Sequence, residues 1–158
     1  MTLPGLQIRD FQPTDSLEIM RLFHDTVHNV NARDYTPEQI EAWAPAIPDE
    51  PRWYERLRAN FTHVAEANGQ IVGFSELRRD GYIDTLYVHH RHQSMGIASR
   101  LLSEMETRAR ALGAKRLYTQ ASLTAYGFFQ RRGFKLVRAQ DVELRGVQIR
   151  NFIMERAL

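Results

Sequence analysis

The segment Tyr82-Ile-Asp-Thr-Leu-Tyr-Val88, followed by the turn Gln93-Ser-Met-Gly-Ile-Ala-Ser99, decides the fold of this chain. The first segment is rich in aromatic and β-branched residues, which predicts a strand, and the turn opens a stretch with helical periodicity. Gly96 and Ala98 remove side-chain bulk where the helix begins, and its first amides lack partners within the helix. Such a helix start attracts anions, so the stretch predicts a phosphate-bearing cofactor.

Length and composition set the class of protein. A chain of 158 residues with 43% hydrophobic and 25% charged residues predicts one globular domain over residues 1–158. The absence of cysteine excludes disulfides, thiolate nucleophiles and cysteine zinc sites. The first ten residues do not resemble a signal peptide and no run has the length of a membrane span, so we expect a cytoplasmic protein without a membrane partner.

The charged residues point to neither nucleic acid nor metal. The net charge is +2, and no block of five like charges occurs, so we expect no nucleic-acid partner. His24 and His28 are four residues apart, but no third ligand is signalled nearby, and we expect solvated or substrate-facing histidines without a metal. His89, His90 and His92 follow the central strand and are expected near solvent or phosphate.

The first half of the chain predicts a strand, helices and an antiparallel meander. Residues 6–9 alternate as a strand, and residues 15–30 have helical spacing behind a capping box of Asp15 and Glu18. Pro37 and Pro51 each stand at the start of a short helix. Asn68-Gly69 predicts a hairpin between two strands, and a third strand follows at Tyr82. The predicted strands of the meander are 61–67, 70–77 and 82–88.

The second half predicts a crossover and a closing hairpin. The helix that starts near Gly96 extends to a cap at Gly113, and a helical connection makes the next strand, 115–120, parallel to 82–88. A short helix over 124–132 and strands over 134–143 and 147–156 complete the chain. The pattern predicts an α/β (α+β) fold: a mixed, mostly antiparallel sheet of about seven strands flanked by helices, with strands 4 and 5 parallel.

Three motifs in this order resemble a known family. They are Leu86-Tyr-Val88, Gln93-x-x-Gly96-x-Ala98 and Ala125-x-x-Phe-Phe-x-x-x-Gly-Phe134. Together they resemble the GNAT superfamily of acyl-CoA-dependent N-acetyltransferases, and the carboxyl-terminal stretch is most similar to its YafP-like branch. The resemblance implies that strands 4 and 5 are splayed, with disrupted pairing near Leu86 and Tyr87.

The resemblance also implies a binding site for acetyl-CoA as the acyl donor. It assigns the backbone of Leu86, Tyr87 and Val88 to the pantetheine arm and the turn from Gln93 to Ser99 to the pyrophosphate. The implied cofactor-binding residues are Leu86, Tyr87, Val88, Gln93, Ser94, Met95, Gly96, Ile97, Ala98, Ser99, Ser122 and Phe129. Met95 stands where many members carry a basic residue, and Arg91 or Arg100 could compensate.

Catalytic residues are harder to assign. The resemblance implies the Val88 N–H as the donor to the oxyanion. Asp84 lies near the position where the family often has an acidic residue, and it could act as a base through water or bind a cationic substrate. Phe129 replaces the tyrosine that often protonates the departing thiolate. Tyr126, one helical turn earlier, could supply that proton, or it could pack, and water could serve instead.

The acceptor is less well defined by the sequence. Aromatic residues in 31–60 can line a pocket or pack a loop against the core. We expect His28, Tyr35 and Trp43 to contact the acceptor. The function predicted is an acetyl-CoA-dependent N-acetyltransferase acting on an amine of a small molecule, with an amine of a protein as the second possibility. The alternative is a non-catalytic acyl-CoA-binding sensor or interaction module. The family also makes a homodimer an expectation.

Overall fold

The computed structural model describes residues 2–46 and 49–158. Two short 3₁₀ helices, Pro13–Asp15 and Asn31–Arg33, flank the first α-helix. The strands are β1 Gln7–Asp10, β2 Phe61–Ala67, β3 Gln70–Leu77, β4 Tyr82–Val88, β5 Arg116–Ser122, β6 Lys135–Leu144 and β7 Val147–Ala157. The α-helices are α1 Ser16–Asn29, α2 Pro37–Trp43, α3 Glu50–Ala59, α4 Ile97–Ala111 and α5 Tyr126–Arg131. None of the helices in these ranges is both long and apolar enough to span a membrane.

The strands form one mixed sheet in the order β1-β2-β3-β4-β5-β7-β6. Every pairing is antiparallel except that of β4 with β5, which confirms the predicted sheet. Alternating residues of β2 and β3 bury opposite faces of the sheet. Val64 of β2 and Phe74 of β3 pack with α1 and α3, and Ala65 packs against Ile97 and the rest of α4. Val72 joins the α4 side because the β2–β3 register shifts beside it and leaves it as an extra residue of β3.

In the described strands, β4 and β5 are paired only where β4 begins, opposite the middle of β5. Tyr82 lies opposite Tyr118 and Ile83 lies opposite Thr119, and the described strands have no further pairs. Thr119 Oγ1 donates to the Ile83 carbonyl oxygen at 3.0 Å, where the two strands begin to diverge. The splay that the resemblance implied is therefore present, and it leaves an open wedge in the middle of the sheet.

The bulge in β4 lies earlier than expected. Leu86 and Tyr87 pair regularly with Ser75 and Phe74 of β3, and the register shifts between Glu76 and Leu77. The shift leaves Asp84 as the extra residue of β4. The lost pairing at Leu86 and Tyr87 is on the side of β5 alone, because the strands have already diverged there.

The predicted capping box of Asp15 and Glu18 is wrong. Glu18 Oε2 accepts the backbone N–H of Ile71 at 2.7 Å, and the Asp15 carboxylate binds the Arg9 guanidinium at 2.9 and 3.0 Å. Burial opposes the charge on Asp15, but hydrogen bonds from Arg9 and the Gln12 N–H outweigh it and hold the pKa of Asp15 below its ordinary value. A nearby guanidinium competes better for this carboxylate than a helix amide does. At α2 the predicted start is confirmed, since Thr36 Oγ1 accepts the N–H of Gln39.

Gly81 holds the closed end of the wedge, and its replacement should be more damaging than that of another glycine with positive φ. A Cβ at Gly81 would lie 1.9 Å from the carbonyl oxygen of Arg116, whereas one at Gly69 would meet nothing within 4 Å. We expect Gly69→Ala to cost about 1–2 kcal/mol of unfolding free energy through backbone strain alone. Gly81→Ala should cost about 1–3 kcal/mol more. Urea denaturation of both variants measures the difference, and equal losses would contradict the close approach.

His63 should make stability depend on pH. Its side chain is buried in β2, and burial lowers the pKa of the imidazole. Asp10 opposes this effect, and Arg108 adds to it. The folded state therefore holds His63 neutral, while the unfolded chain takes up a proton near pH 6.5. We expect the unfolding free energy to be highest above about pH 6.5 and to fall below it. His63→Gln should flatten this fall between about pH 7 and 5; an unchanged slope would exclude His63 as its source.

Candidate active site

A cavity of about 780 Å³ occupies the wedge between β4 and β5. Most of the residues predicted for the site line it. They are Tyr35, Trp43, Asp84, Leu86, Tyr87, Val88, Gln93, Ser94, Gly96, Ile97, Ala98, Ser99, Ser122 and Phe129. Three predicted residues, His28, Met95 and Tyr126, are not among the lining residues.

The backbone of β4 presents polar groups to this cavity. His89 donates its N–H to the Val72 carbonyl oxygen at 2.8 Å, and Val88 lies opposite Gly73. Because bonded and non-bonded pairs alternate along antiparallel strands, the N–H and C=O of Val88 point away from β3. The Val88 carbonyl accepts from Thr26 Oγ1 at 3.0 Å and from Gln93 Nε2 at 2.8 Å. Its N–H faces the wedge, where β5 has diverged and supplies no carbonyl.

The turn before α4 presents a second set of backbone donors. Gly96 precedes the helix with φ of +78°, and no side chain caps its first amides. Ser94 has φ of +60°, so it adopts the left-handed conformation that glycine would adopt more easily. The first turn of α4 carries no acidic residue. The amino end of α4 therefore offers free N–H groups and a positive dipole end to the cavity.

Basic side chains at this end come from α5 and its carboxyl terminus. Arg131 and Arg132 both line the cavity, and Arg132 bonds to the Ser99 hydroxyl while its guanidinium lies 5.1 Å from the Phe128 ring centre. The sequence pointed to Arg91 or Arg100 and gave no expectation for this pair. Arg100 donates instead to the Leu6 carbonyl at 3.1 Å, and Arg91 does not line the cavity. The signal that could have indicated these basic residues is the Arg-Arg pair directly after Phe128-Phe-Gln in the sequence.

Asp84 belongs to a network of carboxylates and donors. Its Oδ2 accepts from Arg78 Nη2 at 3.1 Å and from Asn60 Nδ2 at 3.3 Å. The same Asn60 nitrogen lies 3.1 Å from Oε1 of Glu76, which is fully buried and held by both nitrogens of the Arg56 fork. Asp84 is thus fixed at the edge of the cavity by a donor that is itself anchored in the core.

On the α5 side of the cavity the predicted groups are already engaged. The Tyr126 ring lies against Phe152 with centroids 4.8 Å apart, outside the lining residues. Phe129 is buried and packs edge-on against Phe134, as a core residue that also touches the cavity. Ser122 Oγ accepts the N–H of Ala125 at 3.0 Å and so caps the turn into α5. Met95 packs with the apolar cluster between α4 and the sheet.

The predicted acceptor residues divide into two groups. Tyr35 and Trp43 line the cavity, with their rings perpendicular at 5.2 Å. The Tyr35 hydroxyl donates to the Arg150 carbonyl at 2.7 Å and accepts the Leu123 N–H at 2.9 Å. Burial raises the pKa of this phenol. His28 lies elsewhere, because its Nε2 bonds the Ala44 carbonyl oxygen and its ring stacks on His24.

The histidines after β4 form a stacked group near the turn. His89 stacks on His90 at 4.6 Å and contacts His92 edge-on at 5.0 Å. Burial, then the neighbouring His90 and His92, lower the pKa of His89. His92 lines the cavity, and its Nδ1 is buried without a protein partner. Within residues 2–46 and 49–158, no three histidine, cysteine or acidic side chains are grouped as metal ligands would be.

Comparisons with known proteins agree with this geometry. Residues 31–156 match the family model described as an acetyltransferase (GNAT) domain. The chain is 39% identical over 150 residues to the uncharacterized N-acetyltransferase YafP of Escherichia coli (strain K12), covering 95% of both chains.

Solved structures share the whole fold. A GCN5-related N-acetyltransferase from Rhodopseudomonas palustris superposes with a TM-score of 0.95 at 32% identity, covering 100% of this chain and 99% of that one. The PaiA N-acetyltransferase of Thermoplasma acidophilum, solved in complex with coenzyme A, has a TM-score of 0.80 at 19% identity, with coverage of 97% and 99%. This chain belongs to the GNAT family and is an acetyl-CoA-dependent N-acetyltransferase.

Proposed function

We propose that this chain, acting as one domain over residues 1–158, transfers an acetyl group from acetyl-CoA to the amine of a small molecule inside the wedge between β4 and β5. The observation that carries the proposal is the set of backbone groups without strand or helix partners that face one cavity. They come from β4 at Val88 and from the amino end of α4 at Gly96.

The residues present fit the acyl donor. Diphosphate needs several convergent N–H donors, which the turn from Gln93 to Ser99 offers, and Arg131 and Arg132 add positive charge beside it. An amide-bearing pantetheine arm needs strand-like partners, which Leu86 and Val88 of β4 offer where β5 is absent. When bound, acetyl-CoA supplies the acetyl group as a thioester. Ser122 and Phe129 would flank the arm on the α5 side.

The Val88 N–H stabilises negative charge during transfer. It faces the wedge without a partner on β3, so it needs no reorganisation to donate to the oxygen on which charge develops. Preorganised donors of this kind are among the largest contributions to catalysis. The Val88 carbonyl is held by Thr26 and Gln93, which fixes the orientation of the strand at this point.

Asp84 receives or directs the proton of the attacking amine. Its carboxylate is fixed by Arg78 and Asn60 at the edge of the cavity, and it acts through water or by holding the ammonium group before deprotonation. The departing thiolate takes its proton from water. Tyr126 would have to leave Phe152 and turn into the cavity to serve as the acid.

Turnover is tested by mixing the full chain with acetyl-CoA and a panel of primary amines while following thiol release. We expect release above the amine-free rate with at least one amine, and mass spectrometry should find the acetylated amine. Binding of acetyl-CoA without turnover across a broad panel would instead support the sensor alternative.

Gly96 and Gly113 give a matched pair for the donor site. Both have positive φ, both flank α4, and a Cβ at either would meet nothing within 4 Å, so substitution strains them equally. We expect Gly96→Leu to weaken acetyl-CoA binding at least about 10-fold, because its side chain enters the space beside the diphosphate donors. Gly113→Leu, at the far end of the helix, should bind normally. Isothermal calorimetry measures the acetyl-CoA affinity of both variants. Equal affinities would show that the diphosphate does not bind at this turn.

Asp84→Asn should lower kcat/KM for the amine by about 100-fold or more while leaving the acetyl-CoA affinity intact, because proton transfer loses its acceptor. Asp141→Asn is the control, since Asp141 is also paired with an arginine, Arg150, but does not line the cavity. Steady-state kinetics and calorimetry separate the two effects. A kcat/KM within about twofold of the parent protein would show that Asp84 has no role in proton transfer.

A further inference from the structure

One part of the cavity has an apolar wall on two sides. One side comes from the segment that runs from the end of α1 to the end of α2, and the other comes from the β6–β7 hairpin. The apolar and aromatic residues that line this part are Val30, Tyr35, Trp43, Val142, Leu144 and Ile149. The same residues, except Val30, belong to one hydrophobic cluster that joins the helices to the hairpin.

The apolar side chains that the β6–β7 hairpin contributes lie on one face of it. Val142 of β6 lies directly opposite Ile149 of β7, and the next rung on the same face is Gln140 opposite Asn151. Gln140 Nε2 donates to Asn151 Oδ1 at 2.9 Å, so the polar rung is closed by a neutral amide pair. An acceptor reaching from Asp84 toward the hairpin therefore meets amides first and aliphatic groups next.

Charge is confined to the other parts of the cavity. Among its described lining residues, the side chains with a full charge are Asp84, Arg131 and Arg132. The two arginines lie at the end of α5, where Arg132 reaches Ser99 at the start of α4. Asp84 lies at the bulge of β4 and is already paired with Arg78. The polar side chains in the apolar part are neutral, with Asn31 and Asn151 as its amides.

We propose that the acceptor is a primary amine on an uncharged, apolar body, with neither a carboxylate nor a second ammonium group. This inference rests on the proposed function, since it names the acceptor class of the same site. A free amino acid would bring its carboxylate beside Asp84 and the apolar wall, where the described lining offers no cation. A polyamine would bring a second ammonium group, and the described lining has no second carboxylate to pair with it. Both would lose hydration without a compensating partner.

The apolar wall also favours the reactive form of the amine. Removal of an ammonium group from water lowers its pKa, because the charged form loses more solvation than the neutral form. An amine whose apolar body lies between Trp43 and Ile149 is taken partly out of water, and it is therefore deprotonated more easily than in solution. Asp84 is the carboxylate among the described lining residues that can take up the proton, so the same cavity selects the acceptor and activates its amine.

The first arm of the experiment compares three amines at saturating acetyl-CoA. 2-Phenylethylamine and phenylalanine differ only in the carboxylate, and spermidine supplies additional ammonium groups. We expect kcat/KM for 2-phenylethylamine to exceed that for the other two by at least about 10-fold. An amino acid or polyamine that reacts as fast or faster would overturn the proposal.

The second arm measures binding of the same amines by calorimetry in the presence of coenzyme A, and it separates this inference from the proposed function. If no amine releases thiol but 2-phenylethylamine still binds at least about 10-fold tighter, the proposed transfer fails and the acceptor class stands. Equal affinities, a reversed order or no binding of any amine overturns the acceptor class whatever the kinetics show.

A charge placed in the apolar wall should shift the preference. Val142→Arg puts a guanidinium where a carboxylate could pair with it, and we expect the ratio of kcat/KM, or of affinity, between 2-phenylethylamine and phenylalanine to fall about 10-fold. Glu143→Arg is the matched control, because the next residue of β6 points to the opposite, exposed face. Its ratio should stay within about twofold. A ratio that is unchanged in a folded Val142→Arg variant overturns the proposal; if that variant does not fold, the comparison of amines decides alone.

Discussion

The ladder between β4 and β5 joins only two residue pairs, and the functional geometry depends on where it stops. A continued parallel ladder would consume the N–H and C=O groups of Leu86 and Val88. Since the strands diverge after Ile83, the N–H of Val88 is left to face a cavity in the middle of the sheet, while its carbonyl is held by Thr26 and Gln93. The close contact of Gly81 with Arg116 and the bond from Thr119 to Ile83 hold the joined end. The wedge between β4 and β5 therefore exists because the two strands are held tightly together at one end and diverge from there.

The sequence was most informative where a local motif determines the backbone. The order of strand, glycine-containing turn and helix from Tyr82 to Gly113 predicted the free N–H groups at the amino end of α4. Positive φ and unpaired helix amides follow from the residues of the turn itself. The hairpin at Asn68-Gly69 and the helix start at Thr36 were predictable for the same reason. In each case the residues that decide the conformation are within four positions of one another.

Features that depend on distant side chains were not predictable in the same way. Asp15 has a capping pattern but is bound by Arg9 of β1, and Tyr126 has suitable spacing but packs against Phe152 of β7. His28 is turned to the Ala44 carbonyl by a segment sixteen residues away. The bulge at Asp84 and the position of Arg132 beside Ser99 likewise arise from packing between elements, which neither periodicity nor composition records.

The hydroxyl of Tyr35 joins three separate parts of the chain. It bonds the carbonyl of Arg150 on β7 and the N–H of Leu123 after β5, while its ring stands on the helical side of the cavity. Both of its hydrogen-bonding functions are thereby used, and a single phenol ties the helical side of the cavity to β7 and to the segment after β5. Loss of this one hydroxyl would release both connections at once, so the width of the cavity on this side depends on a single side chain.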